Sequence, residues 1–381
     1  MGKIIGIKYI SPIFDGSGYA EAGRNYILAL HKTGIPITIS PISFEKTRPD
    51  LGEVGKTLGT LVEKDIPYNV LINHLTPEHN PKFYPLEPEG VYKVNYSVWE
   101  TTAIPKEWVP WLNMSDLNLV ACTWNKQVYE QCGVTRPIEV VPHGINVRDM
   151  LQPKTDCGLQ IDLEGKYVFY TIGQYTARKN IDALIKLFWY AFDGIKDVAL
   201  VVKTYGSNYT FEERQRLETY FSTMKRNSRP ANPPSVHFIF DCLSRDEMIW
   251  LHQTCDCFVS LTRGEGFGIP ILEAAACGNP IITTGIGGPT DFLEKERSIL
   301  IRHTFEPVSD MPHIPWYNVN QLWAQPDIFE AAEMMTDVYT HQDWWAEKGI
   351  GQRVEIAKKY SWKAVAKQMI DQIEKQMDGK A

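Results

Sequence analysis

Arg263–Pro280 reads RGEGFGIPILEAAACGNP, and the rest of the chain is organised around it. Gly264, Gly266 and Gly268 allow a sharp loop with a close backbone approach, and Pro270 suits a first helical turn, where its missing amide proton is not needed. Gly278 and Pro280 close the helix so predicted. The amides around Phe267, Gly268 and Ile269 then stand at a helix N-terminus, where unpaired N–H groups and the helix dipole favour an anion such as a diphosphate. Seven residues separate Glu265, before the helix, from Glu273 within it. Carboxylates accept hydrogen bonds from hydroxyl pairs, and a ribose and a hexose both present such pairs. One molecule carrying diphosphate, ribose and hexose would meet all of these groups. The plainer reading of the same residues is an ordinary strand-to-helix turn with two solvated glutamates.

The stretch EGFGIPILEAAACGNPIITT resembles, nearly position by position, the EGFG-P-LEA-A-G-PVI pattern of retaining glycosyltransferases with the GT-B fold, family 4 in particular, including its E-x7-E signature. The resemblance implies that Glu265 and the loop amides of Gly266, Phe267, Gly268 and Ile269 hold the donor sugar, and that Glu273 holds the nucleotide ribose. It also implies an α/β architecture of two Rossmann-like, doubly wound domains facing a central cleft. The donor is expected in the C-terminal half and the acceptor mainly in the N-terminal half.

Composition is consistent with this. The 381 residues exceed the roughly 250–300 at which one core stops growing, which predicts two domains. Hydrophobic residues at 44% and charged ones at 22% are those of an ordinary globular protein. A net charge of −7 supplies no broad pull toward nucleic acid or anionic membrane, although a local basic groove is compatible with it. Seven cysteines without a CxxC pair suggest reduced thiols and a cytoplasmic setting. Cys255 and Cys257 alternate on one strand face as small buried residues, and no metal-ligand cluster is indicated. MGKIIGIKYI reads as a buried first strand, and no run approaches the about 20 apolar residues of a membrane helix. A soluble protein is expected, with peripheral membrane contact left open.

Lys3–Ile10 is predicted as a strand, followed by a loop with Gly16 and Gly18 and by a helix over Ala20–His31. This unit resembles the family's first glycine loop, which faces donor phosphates or acceptor; packing alone is the plainer reading. Strands over 35–40, 68–73 and 91–98, separated by helices or loops, predict a parallel doubly wound sheet. Functional groups gather at the carboxyl ends of such strands, which makes His74 and Glu100 acceptor-side candidates. WETTAIPKEW resembles a variant of the segment where other members carry a His-Asp or His-Gly pair, so the family's acceptor-side histidine lacks a clear counterpart. Trp99, Trp108 and Trp111 suit either sugar stacking or the core. A strand, helix and strand over 117–141 lead to VVPHGIN, which resembles the family's VPNGVD-type turn with His143 in place of asparagine; His143 is the third acceptor-side candidate. The domains expected are 1–150, 151–360 after a polar linker at 149–165, and a helix at 361–381 that, by resemblance, crosses back onto the first domain.

The second domain opens with a strand ending near Ile172, a polar loop and a helix with Ile181, Leu184, Ile185 and Phe188 on one face. Arg178 and Lys179 lie at that junction. Cations there run against the helix dipole and so ask for an anion, and a diphosphate leaving group needs such neutralisation. By resemblance Lys179 takes the place of the family's lysine, while Gln174 stands where its arginine is expected and Arg178 supplies charge from a shifted position. Lys179, Arg178 and Glu265 are therefore the catalytic candidates. A strand over 198–203 and a basic helix over 211–229 follow, its arginines interspersed with glutamates as on a solvated face. Asp241, Cys242 and Leu243 fall, by resemblance, in the turn that lies against the nucleotide base. Gly287 and Gly288 offer further amides, and 302–325 is an irregular, aromatic-rich insertion.

The activity this predicts is metal-independent transfer of a sugar, with retention, from a nucleotide diphosphate donor to a hydroxyl acceptor. No cofactor is expected beyond the nucleotide diphosphate sugar as co-substrate. Polysaccharide, lipid, small molecule and modified nucleic-acid base all stay open as acceptors. The rival readings are a nucleotide-sugar epimerase or hydrolase of the same fold, and a non-catalytic nucleotide-sugar-binding protein.

Overall fold

The computed structural model describes residues 2–44, 49–154, 161, 163–311 and 314–379. The chain divides into two compact units, Met1–Ile145 with Lys359–Ala381, and Asn146–Lys358. The limits expected from the sequence are 150, from the VVPHGIN turn and the linker behind it, and 360, from the family's last helix; the units here divide at 145 and 358. Ile145 is where the chain pairs with its own C-terminal segment, through the Ile145–Ser361 bridge and an Ile145 amide that donates to the Tyr360 carbonyl at 2.7 Å. Of the expected linker, 155–160 and 162 lie outside the described residues, and its first residues are helical.

In the first unit, β1 (Ile7–Pro12), α1 (Gly18–His31), β2 (Ile37–Ile42), α2 (Gly52–Gly59) and β3 (Val70–Asn73) are followed by α3 (Asn80–Phe83), β4 (Tyr92–Tyr96), α4 (Trp108–Leu112), β5 (Leu117–Val120), α5 (Thr123–Gln131) and β6 (Ile138–Val140). The strands form one parallel sheet in the order β2-β1-β3-β4-β5-β6. Strands β3 and β5 are buried at every position, as a sheet covered on both faces requires.

The second unit runs α6 (Val147–Met150), β7 (Tyr167–Ile172), α7 (Ile181–Ala191), β8 (Val198–Lys203), α8 (Phe211–Arg226), β9 (Ser235–Ile239), α9 (Arg245–Thr254), β10 (Cys257–Ser260), α10 (Ile269–Cys277), β11 (Ile281–Thr284), α11 (Pro289–Phe292) and β12 (Ile299–Ile301). A hairpin of β13 (His303–Pro307) and β14 (Leu322–Pro326) precedes α12 (Ile328–Thr340) and α13 (Gln342–Lys359). Its parallel sheet has the order β12-β11-β10-β7-β8-β9, a doubly wound arrangement whose direction reverses between β7 and β10. Alternation along β8 sends Val198, Leu200 and Val202 into the core with Leu184, Phe188 and Phe221, and leaves Ala199, Val201 and Lys203 on the opposite face.

Helix α14 (Trp362–Asp378) closes the chain and packs on α1, so the last segment belongs to the first unit. Trp362 sits against Gly144, where an added Cβ would lie 2.7 Å from the indole, and makes an edge contact with Tyr26. Gln368 donates to the Val140 carbonyl at 2.9 Å.

Candidate functional site

In a doubly wound sheet, ligands bind outside the carboxyl ends of the strands at the point of reversal. Two loops meet there in the second unit, one after β7 and one after β10. They are joined by backbone and side-chain bonds: the Arg263 amide donates to the Arg178 carbonyl at 2.7 Å, Arg178 Nη1 to the Gly264 carbonyl at 2.6 Å, and Arg263 Nη1 to the Ala177 carbonyl at 3.0 Å. This brings Lys179 Nζ to 2.5 Å from Glu265 Oε2, with Arg178 Nη1 3.9 Å from the same oxygen. Gly173 leaves room for the lysine stem, since a Cβ there would lie 3.3 Å from Lys179 Cδ. Asn180 ends the loop in the left-handed region at φ 54°, which asparagine tolerates.

Glu265 is only 8% exposed and Glu273 only 4%, so the reading of two solvated glutamates fails. Burial raises the Glu265 carboxyl, but Lys179 and then Arg178 outweigh it and hold the group below its usual range. Glu273 faces a different partner set. Arg245, the first residue of α9, hydrogen-bonds to Oε1, and His252 Nε2 lies 3.4 Å from Oε2. Burial again acts to raise this carboxyl, yet Arg245 and His252 depress it to about 2. Behind them, the Tyr170 hydroxyl meets His252 Nδ1 at 2.8 Å and accepts from Asn279 Nδ2 at 2.7 Å. One molecule reaching both glutamates would thus meet two acids already engaged by cations.

Gly268 caps the N-terminus of α10, and its φ of 94° demands glycine. The amides of Gly268 and Ile269 donate to no acceptor among the described residues, and Pro270 has no amide proton. Gly287 and Gly288, where further amides are expected, also have a steric role. A Cβ on Gly287 would fall 1.9 Å from the Glu265 carbonyl and one on Gly288 2.3 Å from that of Phe267, while the Gly288 amide donates to the Glu265 carbonyl at 3.2 Å. Both glycines let the 287–288 turn carry the motif loop from beneath. The expected irregular insertion also supports that loop. In the β13–β14 hairpin, the Ala324 amide donates to the Arg263 carbonyl at 2.7 Å, Arg263 Nε donates to Gln325 at 3.0 Å, and its guanidinium lies 5.0 Å from the Trp323 ring centroid.

Cys242 and Leu243 lie in the turn between β9 and α9, with Cys242 exposed and Leu243 half-buried. Asp241 beside them accepts from Arg214 Nη1 of α8 at 3.2 Å.

The first unit gathers its candidates at the carboxyl ends of β1, β3, β4 and β6. Gly16 falls between β1 and α1 and Gly18 opens α1; a Cβ on Gly18 would meet nothing within 4 Å, so close packing is not what places glycine there. The loop is held by buried Asp15, which accepts from Ser17 Oγ at 2.6 Å and from the Phe44 amide at 2.7 Å. His74 is buried, with Nδ1 2.8 Å from the Tyr9 hydroxyl, and His143 Nδ1 is 3.3 Å from the Tyr96 hydroxyl. Their rings stack at 6.4 Å. Burial, helped by His143, lowers His74 well below the usual range, and burial takes His143 down to about 3, so both imidazoles are neutral. Tyr19, next to Gly18, links the group: its ring is 5.5 Å from His74 and its hydroxyl accepts from the Val98 amide, two residues before half-buried Glu100. Trp99 and Trp108 are core residues packed edge to face at 4.7 Å, with Trp99 Nε1 donating to the Ala103 carbonyl.

Arg245, His252, Trp323 and Tyr19 had no signal in the motif itself. The Ser244–Glu247 capping box marks the start of α9, and hence Arg245, but only proximity in the fold ties it to Glu273.

Residues 160–304 match the family described as glycosyl transferases group 1. An uncharacterised glycosyltransferase from Sulfolobus islandicus rod-shaped virus 1 is 22% identical over 58% of this chain and 63% of its own length. A probable sucrose-phosphate synthase from Thermosipho melanesiensis is 24% identical over 63% of this chain and 48% of its own. The chain thus spans less than two thirds of the length of these curated relatives. Among solved structures, sucrose-phosphate synthase from Thermosynechococcus elongatus superposes with a TM-score of 0.70 at 16% identity, covering 99% of this chain and 100% of that one. HepE from Anabaena, solved in complex with UDP-glucose, gives 0.68 at 12% identity, covering 97% and 99%. These likenesses show a GT-B fold of two Rossmann-like domains.

Proposed function

From the glycosyl transferases group 1 domain that this chain carries on a GT-B fold, we propose that it moves a sugar from a nucleotide diphosphate donor to a hydroxyl acceptor, with retention and without a metal. The observation that carries this reading is the buried Lys179–Glu265 pair at 2.5 Å, set with Arg178 beside the open amides of the α10 N-terminus. Two cations and a helix dipole converge where a diphosphate leaving group gathers charge, which is the electrostatic demand of the reaction. Glu265 faces a hexose hydroxyl pair in this scheme and keeps Lys179 aimed at the loop mouth; Glu273, ionised and fixed by Arg245, accepts from the ribose. The acceptor oxygen bonds to the anomeric carbon as the carbon–oxygen bond to the diphosphate breaks on the same face. The acceptor proton passes to the departing phosphate oxygen. His74, His143 and Glu100, on the first unit, are the groups proposed for the acceptor; neutral imidazoles suit hydrogen bonding to a hydroxyl.

The test is product mass spectrometry after incubation with a panel of nucleotide sugars and acceptors, with and without EDTA. Transfer that survives EDTA, and falls by about 10²–10³ in kcat for Lys179→Ala, is expected. Donor turnover that is equally fast without acceptor would instead identify an epimerase or hydrolase.

A further inference from the structure

The proposed function leaves the nucleobase unspecified. Lys203, the last residue of β8, bears on it. Only 5% of the residue is exposed, and among the described residues neither a hydrogen bond nor an ion pair reaches its Nζ. The ammonium instead lies 5.3 and 5.0 Å from the ring centroids of Tyr205 and Tyr209, which stack on each other at 4.4 Å. Burial lowers it to about 8, against the opposing pull of Cys242 and Asp241, so at neutral pH it is mostly charged. A buried cation with aromatic neighbours and no acceptor keeps unspent donor capacity.

Its position says where that capacity points. Lys203 stands in register with Ile172 and Ile239 at the carboxyl ends of β7 and β9, and its carbonyl accepts from the Gly173 amide of the loop that carries Lys179. Alternation places it on the sheet face opposite α7 and α8. Asp241 and Cys242, in the turn after β9, are near enough to act on its charge. In the strand order β10-β7-β8-β9, β8 and β9 lie directly beyond the β7 and β10 loops, so a base attached to a diphosphate over those loops would come to Lys203 if it followed the sheet edge in that direction.

We propose that Lys203 selects nucleotides whose base presents a carbonyl, uracil or thymine at O4 or guanine at O6, over those that present an exocyclic amino group there. This rests on the donor reading above. An ammonium donates to a carbonyl, whereas cytosine N4 and adenine N6 would set donor against donor.

The pairs UDP/CDP and GDP/ADP test the contact, because within each the ring skeleton is kept and a keto group is exchanged for an amino group; guanine carries a 2-amino group besides, so UDP/CDP is the cleaner pair. Titration calorimetry on the full chain should show the keto member of the better-binding pair favoured by about tenfold or more. Lys203→Met, which keeps the stem, and Lys203→Gln, whose amide both donates and accepts, should bring that ratio near one, while Lys203→Arg should keep it. A wild-type preference for CDP over UDP or ADP over GDP overturns the assignment, as does an unchanged ratio in Lys203→Met or Lys203→Gln. Should none of the four bind the wild type, the donor reading itself fails, a result distinct from tight binding without base preference.

Discussion

At Glu273 the structure places an ionised acid 4% exposed beside a half-exposed arginine. Such an acid stays charged only because Arg245 and His252 repay part of its lost hydration. Its carboxyl is depressed from 4.5 to about 2, so it stabilises the fold fully above pH 4.5 and loses that contribution as pH falls toward 2. Urea unfolding of wild type and Glu273→Gln should differ by on the order of 2–3 kcal/mol at pH 7, and the gap should shrink as pH is lowered to 3. A gap that does not change with pH would show that the carboxylate charge is not what matters. The motif singled out Glu273 as a candidate, but not its partner: Arg245 lies 28 residues earlier and is brought in by the packing of α9 on α10.

Among the elements, α10 and the β7–α7 junction were the most readable. Glycine at 268 and 278 and proline at 270 bracket α10 as their conformational preferences require, and both glycines take positive φ. Strand β8 was readable to the residue because its apolar run is buried throughout. The 302–325 segment was not. Its two strands pair across a long connection without a tight-turn signature, so nothing local announces a hairpin. Nor did local sequence reveal why 287–288 must be glycine, since the atoms that exclude a Cβ belong to Glu265 and Phe267. Gly288→Ala should therefore lower the melting temperature sharply and weaken nucleotide binding with it, because the motif loop must move. Gly18→Ala, with open space around its Cβ and a place in the first turn of α1, should leave melting unchanged or slightly raised. Equal melting of the two variants would show that the glycine turn does not support the loop.

For the molecule as a whole, two doubly wound sheets follow from strands alternating with helices, and that pattern was visible from end to end. Return of the C-terminal helix to the first unit depends instead on contacts between residues more than 200 positions apart, such as Trp362 on Gly144 and Gln368 on Val140, and came only from likeness to a family. The proposed transfer requires above all that the second unit hold a diphosphate between Lys179, ahead of α7, and the start of α10. Calorimetric affinities for a nucleoside monophosphate and the matching diphosphate, taken on wild type and Lys179→Ala, test it directly. The added phosphate should tighten wild-type binding at least about tenfold, and Lys179→Ala should lose most of that gain. Equal affinity for the two nucleotides in the wild type, or a gain that survives in Lys179→Ala, would contradict it.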